Sequence, residues 1–312
     1  MGKIIAGRRG LALVFLVLIA SLSLRSLLSE RGQENYVPDP ARTSEVTSHG
    51  PQADSVTFAV IGDYGFDGAP EGRVAALVSI LRPDLVITAG DNNYQSGKAE
   101  SIDQNTGKYY ATYIYPYKGQ YGKGSPDINR FFPSIGNHDW PPEPYLDYFD
   151  LPGNGRYYDF TWGPVHFFVI DTCKGEPDGI GKDSAQAMWL KRKLAASESP
   201  FKFVYGHHPP YSSGTHGSFK KIRWPFKKWG ADALFFGHDH TYERLLVDGI
   251  PYFVVGLGGR SIYPFGDILK DSAFRYNADY GAMLVKVGKG RAIFSFYNVN
   301  GDKVDEFKIK KK

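Results

Sequence analysis

The sequence predicts an α/β chain of two packed β-sheets with helices outside, and two contrasting patterns carry that prediction. Through the first two thirds of the body, short apolar runs alternate with helical patterns, as strands joined by crossover helices do. In the final third the runs follow one another through "DG" and "NG" turns, a hairpin signal strongest at Asn300-Gly301.

In chain order, "TFAVIG" and "DLVITAG" read as strands around a helix near Glu71 to Leu81. "HFFVID", "FKFVYG" and "ADALFFG" follow, with a helix near Ala185 to Ala195. "TYERLLVDGIPYFVVG", "GAMLVKVG" and "AIFSFYNVNGDKVDEFKI" complete the strand-like runs, and no internal repeat is visible.

Three segments divide the 312 residues. In residues 1–30, Lys3, Arg8 and Arg9 precede the apolar run Leu11 to Leu24, closed by Arg25. Fourteen residues is short for a bilayer span, which needs about 20. The pattern reads as an export signal, or as a signal anchor if it is not cleaved. Arg8-Arg9 hints at twin-arginine export, although the flanking residues match that signal poorly. Residues 31–55 are polar, aperiodic and carry three prolines, and are expected to form a flexible linker in which His49 is unstructured. Residues 56–312 are expected to form one domain.

Hydrophobic residues make up 42% of the chain and charged residues 22%, as in globular proteins. The net charge of +4 suggests a basic surface until it is divided: +3 falls in residues 1–30, leaving +1 for the rest. Charge therefore gives no argument for nucleic-acid binding. The single cysteine, Cys173, excludes an intrachain disulfide, so an exported chain must be held by its core or by metal. Its place at the end of "VHFFVIDTC" reads as a buried, inert thiol.

Five times an apolar run ends in a glycine followed at once by a potential metal ligand: Asp63, Asp91, Asn137, His207 and His238. Side chains just beyond the carboxyl ends of strands in open sheets converge on one crevice even when far apart in sequence. With His240, the set exceeds what one four-coordinate zinc site uses, and so implies two ions. Carboxylates can bridge such ions, and two-metal sites serve displacement at phosphorus, with a metal-activated hydroxide as nucleophile.

The motifs "GDYG" (62–65), "GDNNY" (90–94), "GNHD" (136–139), "GHHP" (206–209) and "GHDH" (237–240) resemble, in order, those of purple acid phosphatases within the calcineurin-like metallophosphoesterase superfamily. "FFPSIGNHDW", Asp171-Thr172, the "WL" near 189 and "HTYER" extend the likeness, which runs from about Thr57 to Gly259. It implies a four-layer αββα sandwich of the small single-domain type. Carried over, it assigns Asp63, Tyr94 and His240 to one metal and Asn137, His207 and His238 to the other, with Asp91 bridging. His138 would bind phosphate or act as general acid, and His216, nine residues after His207, would be a second outer histidine. A tyrosine ligand favours a trivalent ion, because a phenol of pKa about 10 ionises only beside a strong Lewis acid. The expected centre is Fe(III) with divalent Fe, Zn or Mn.

The chain thus reads as an exported phosphatase acting on small phosphate monoesters, with membrane contact only through an uncleaved N-terminal segment. One alternative is a phosphodiesterase or nucleotide pyrophosphatase of the same superfamily. Such members commonly carry histidine two residues after the first aspartate, where this chain has Gly65. The other is a tethered metal- or phosphate-binding protein without turnover. Bland readings suit several further residues: His166 as a satisfied strand histidine, His208 as packing beside a ligand, and Asp239 as facing away from the metals. The basic run Phe219 to Lys228 reads as a solvated helix face broken at Pro225, and Tyr109, Tyr110, Tyr113, Tyr115, Tyr117 and Tyr121 either line a substrate mouth or pack a long loop.

Overall fold

The computed structural model describes residues 37–38 and 49–311. The expected export signal and most of the expected linker lie outside the described residues.

The strands are β1 (Ser55–Ile61), β2 (Leu85–Thr88), β3 (Phe131–Pro133), β4 (Tyr158–Trp162), β5 (Val165–Val169), β6 (Phe201–Tyr205), β7 (Ala233–Phe236), β8 (Tyr242–Val247), β9 (Ile250–Val255), β10 (Ser272–Tyr276), β11 (Gly281–Gly288), β12 (Arg291–Asn298) and β13 (Lys303–Lys310). The helices are α1 (Ala69–Leu81), α2 (Ala99–Ile102), α3 (Lys108–Tyr110), α4 (Glu143–Tyr148), α5 (Ala185–Ala196) and α6 (Phe226–Trp229). Two mixed sheets result, ordered β13-β12-β11-β1-β2-β3 and β10-β8-β9-β7-β6-β5-β4. Strands β1, β2 and β3 are parallel in one sheet, and β5, β6, β7 and β9 in the other. The final third supplies antiparallel hairpins to both sheets, as the turn signals predict. Asp248-Gly249 and Lys289-Gly290 each hold two successive positive φ values, the backbone a two-residue hairpin needs.

Phenylalanines fill the space between the sheets. Phe58 meets Phe167 edge-on at 5.0 Å, Phe235 stacks on Phe253 at 5.5 Å, and Phe253 stacks on Phe294 at 5.0 Å. Each is essentially without solvent contact, and burying one such side chain stabilises the fold by about 1.5–3 kcal/mol. α1 buries Val74, Leu77 and Val78, spaced for one helix face, and packs against β11. It ends at Arg82, which is left-handed (φ 49°) and returns its N–H to the Val78 carbonyl. On the outer face of the second sheet, α5 lays Ala187, Leu190 and Leu194 over Phe168, Val204, Leu234 and Phe236, and the Ser184 hydroxyl caps its start by accepting from the Ala187 amide. Helices outside two sheets give the αββα sandwich.

Several details depart from the sequence reading. His49 is not unstructured: it bridges Thr161 of the edge strand β4, and its Nδ1 lies 2.8 Å from the Thr161 hydroxyl. Gly50 and Pro51 continue that contact with Thr161 and Gly163. The stretch between the second and third motifs is helical from Ala99 to Tyr113, including a π turn at Asp103–Gly107, rather than a plain loop. Its tyrosines are mostly packed: Tyr110 is buried, Tyr117 donates to Asp103 at 2.8 Å and Tyr109 donates to Asp67, while Tyr115 and Tyr121 stay exposed. The basic run is two short turns, with Ile222, Trp224 and Phe226 buried and Lys220, Lys221, Lys227 and Lys228 turned to solvent.

Candidate metal centre

The expected ligands stand at the carboxyl ends of parallel strands from both sheets. Asp63 follows β1, Asp91 follows β2, Asn137 follows β3, His207 follows β6 and His238 follows β7. Three of them turn the chain sharply: Asp63, Asp91 and His238 hold φ values of 55°, 56° and 69°. Left-handed backbone is costly for residues other than glycine, and concentrates at sites where geometry serves function. The preceding glycines leave room for the neighbouring ligand. A Cβ on Gly136 would lie 2.2 Å from Asp91 Oδ1, and one on Gly237 would lie 2.4 Å from Asp63 Oδ2.

The side chains form two groups that meet at Asp91. In the first, the Tyr94 hydroxyl lies 2.7 Å from Asp91 Oδ2, 3.3 Å from Asp63 Oδ1 and 3.2 Å from His240 Nε2. In the second, His207 Nε2 lies 3.0 Å from Asn137 Oδ1, 3.2 Å from His238 Nδ1 and 3.4 Å from Asp91 Oδ1. The far nitrogens are engaged. His207 Nδ1 donates to the Ala89 carbonyl at 2.8 Å, which fixes the tautomer that leaves Nε2 with a lone pair, and His240 Nδ1 lies 2.6 Å from the Ser261 hydroxyl. The His238 amide donates to both Asp63 oxygens, at 2.8 and 3.1 Å.

This donor set fits cations. Burial and the neighbouring Asp91 charge push the Asp63 carboxyl well above its usual range. Burial acts on Asp91 too, but His207, His138 and the Tyr94 hydrogen bond outweigh it, so Asp91 is the member of the pair that keeps its charge. Burial and both carboxylates push the Tyr94 phenol up, and burial pushes the imidazoles down, His240 to about 3. Burial thus favours the neutral form of His207, His238 and His240, each able to offer a lone pair to a cation, and two buried carboxylates lie where only one charge is comfortable. Among the described residues no lysine or arginine ion-pairs with either carboxylate. One ligand atom each from Asp63, Asp91 and His207 falls within 4.8 Å of the others.

The remaining candidates surround this cluster. His138 donates its amide to Asp91 Oδ1 at 2.9 Å and its Nδ1 proton to the Gln95 carbonyl at 2.6 Å, with its ring 4.4 Å from that of Tyr94. His216 is exposed yet stacks on His238, ring centroids 4.4 Å apart, so the loop carrying it reaches the site. Asp239 faces away, as the alternation predicts, and accepts from the Ser212 hydroxyl at 2.5 Å and the amides of His216 and Gly217 at 2.7 and 3.2 Å. His166 is satisfied by Asp159 and Ser197, 2.9 and 2.8 Å away. His208, with Nδ1 2.9 Å from the Thr172 hydroxyl, stands closer than the sequence suggested: its ring is 4.4 Å from His238, and it joins His207 and His238 in a second group of candidate ligands. Sequence reasoning also missed Ser261, which no motif marks. A cavity of about 350 Å³ between the sheet edges, beside Phe132 and Trp162, contains none of these residues.

Residues 56–242 match the calcineurin-like phosphoesterase family, more than half of the chain. The chain belongs to that family. Among curated relatives, this phosphoesterase is 25% identical to rat (Rattus norvegicus) tartrate-resistant acid phosphatase type 5 over 255 residues, 66% of this chain and 73% of the rat protein. It is 24% identical to purple acid phosphatase 17 of Arabidopsis thaliana, with 95% of each chain covered. Among solved structures it is similar to a purple acid phosphatase from yellow lupin (Lupinus luteus) seeds, with TM-score 0.69 and 19% identity over 86% of this chain and 55% of that one. It is also similar to GAP50, the anchor in the inner membrane complex of Plasmodium, with TM-score 0.66 and 19% identity over 83% of this chain and 90% of the other. The phosphoesterase therefore shares its two-sheet fold with purple acid phosphatases.

Proposed function

We propose that this chain is an exported phosphatase that hydrolyses small phosphate monoesters at a two-metal centre. The observation that carries the reading is the meeting of two ligand groups at Asp91, one of them containing the Tyr94 phenol. Asp63, Tyr94 and His240 would hold one ion, Asn137, His207 and His238 the other, and Asp91 both. The phenol favours Fe(III) at its own position, with divalent Fe, Zn or Mn at the second. When bound, such ions neutralise charge on phosphoryl oxygens and lower the pKa of water.

The chain's own groups do the rest. The Gln95 carbonyl orients the His138 ring through Nδ1–H, and the imidazolium form of that ring would carry a second proton on Nε2 to pass to the leaving oxygen. His216, held over His238 by Asp239, would donate to a phosphoryl oxygen. Export is supported by the basic and apolar pattern of residues 1–30, and retention of that segment would leave the enzyme membrane-attached. Purified protein reconstituted with iron and with zinc or manganese should turn over p-nitrophenyl phosphate faster than its bis-ester. Preference for the bis-ester would favour the phosphodiesterase reading, and no turnover of either would sink both.

A further inference from the structure

Arg260 stands at the rim of the cluster with its charge unanswered. Its guanidinium carbon lies 4.2 Å from the ring centroid of Phe66 and 5.3 Å from that of Tyr94. Its amide donates to the Asp63 carbonyl at 3.1 Å, so its backbone is tied to the strand end that carries a metal ligand. The turn before it is fixed by close packing: a Cβ on Gly259 (φ 138°) would lie 2.6 Å from Glu71 Cα. Arg73, Arg156 and Arg244 each bind a carboxylate. The guanidinium of half-buried Arg260 makes no hydrogen bond or ion pair among the described residues, and the rings of Phe66 and Tyr94 flank it. A planar fork of donors pinned by aromatic faces and left unpaired is suited to a bidentate oxyanion.

We propose that Arg260 receives two non-bridging oxygens of the substrate phosphoryl group and so selects monoesters over diesters; this deepens, and rests on, the phosphatase reading. A phosphate monoester carries three non-bridging oxygens and a charge near −2, whereas a diester carries two such oxygens and a charge of −1. Only the monoester can fill the fork and still present an oxygen to the metal centre.

The test compares wild type with Arg260→Ala, Arg260→Lys and Arg260→Gln, all metal-loaded. The measurements are inorganic phosphate affinity by calorimetry and kcat/KM for p-nitrophenyl phosphate and its bis-ester. Arg260→Ala should weaken phosphate binding and lower monoester kcat/KM by about 10- to 100-fold each, as loss of a charged hydrogen-bond pair does, with a much smaller change for the diester. Arg260→Lys, keeping charge without the fork, should recover part of both. Arg260→Gln keeps much of the packing stem and serves if the alanine variant folds poorly. Unchanged phosphate affinity, or equal losses for the two esters, would overturn the proposal and leave Arg260 as a packing cap on Phe66 and Tyr94. Absence of turnover in the wild type would instead count against the phosphatase reading, and the phosphate titration would still decide whether Arg260 grips the anion.

Discussion

Gly65 and Asn92 approach so closely that a Cβ on Gly65 would lie 1.9 Å from the Asn92 carbonyl oxygen. The same two loops exchange backbone hydrogen bonds, Gly65 N–H to Asp91 at 3.2 Å and Tyr94 N–H to Gly65 at 2.7 Å. Glycine at 65 is therefore more than a missing histidine. It allows the loop pairing that carries the Tyr94 phenol to Asp63 and Asp91. Gly65→Ala should destabilise the fold by about 1–3 kcal/mol, as overpacking does, and weaken metal retention. Denaturant unfolding and metal analysis check this, and a variant with unchanged stability would show that the loops can part at little cost.

Tyr94→Phe removes the hydroxyl but keeps the ring against His138 and Arg260. If the phenol ligates iron, iron-loaded wild type should show a visible tyrosinate-to-iron absorption that the variant lacks. A colourless wild type with iron bound would return Tyr94 to the role of hydrogen-bond donor to Asp91.

Asp239 fastens the His216 loop through one hydroxyl and two amides. Each hydrogen bond to a charged group is worth about 1.5–3 kcal/mol, so Asp239→Ala should free the loop. Hydrogen exchange at residues 212–217 should rise at least tenfold and monoester turnover should fall. Exchange confined to its wild-type rate would mean that Glu243, which accepts from the Ser213 amide and hydroxyl, holds the loop unaided.

Glu71 is buried with neither carboxyl oxygen hydrogen-bonded among the described residues, and burial pushes its pKa well above the ordinary value of 4.5. Above about pH 4.5 the unfolded chain releases a proton that the folded chain keeps. Stability should therefore fall as pH rises from there towards the raised pKa, by about 1.4 kcal/mol per unit. Glu71→Gln should remove that loss, so its melting temperature should exceed the wild-type value at pH 7 but not at pH 4. Equal melting temperatures at both pH values would contradict this account.

What the sequence revealed divides along physical lines. Long apolar runs such as "DLVITAG" and "ADALFFG" announced β2 and β7, and glycine before each ligand marked where those strands end. β3 spans only Phe131–Pro133, too short for periodicity, and the half-exposed edge strand β10 lacks an apolar signature. Five of the candidate ligands were legible because they recur in one pattern, a glycine and then a polar side chain after an apolar run. The partners that orient them were not: the Ala89 carbonyl is backbone, Ser261 is one serine among many, and Arg260 reaches the rim only because β9 ends beside β1 and β7. The inert reading of Cys173 rested on its apolar run, and the thiol is buried with its pKa pushed up by burial.

The contact between His49 and Thr161 has a directional consequence. Thr161 pairs with His166, near the start of β5, whereas the candidate ligands follow the far ends of the parallel strands. His49 therefore joins the body at the pole opposite the candidate metal centre. The contact of His49 with the edge strand therefore leaves the face around Arg260, His138 and His216 uncovered by this N-terminal segment.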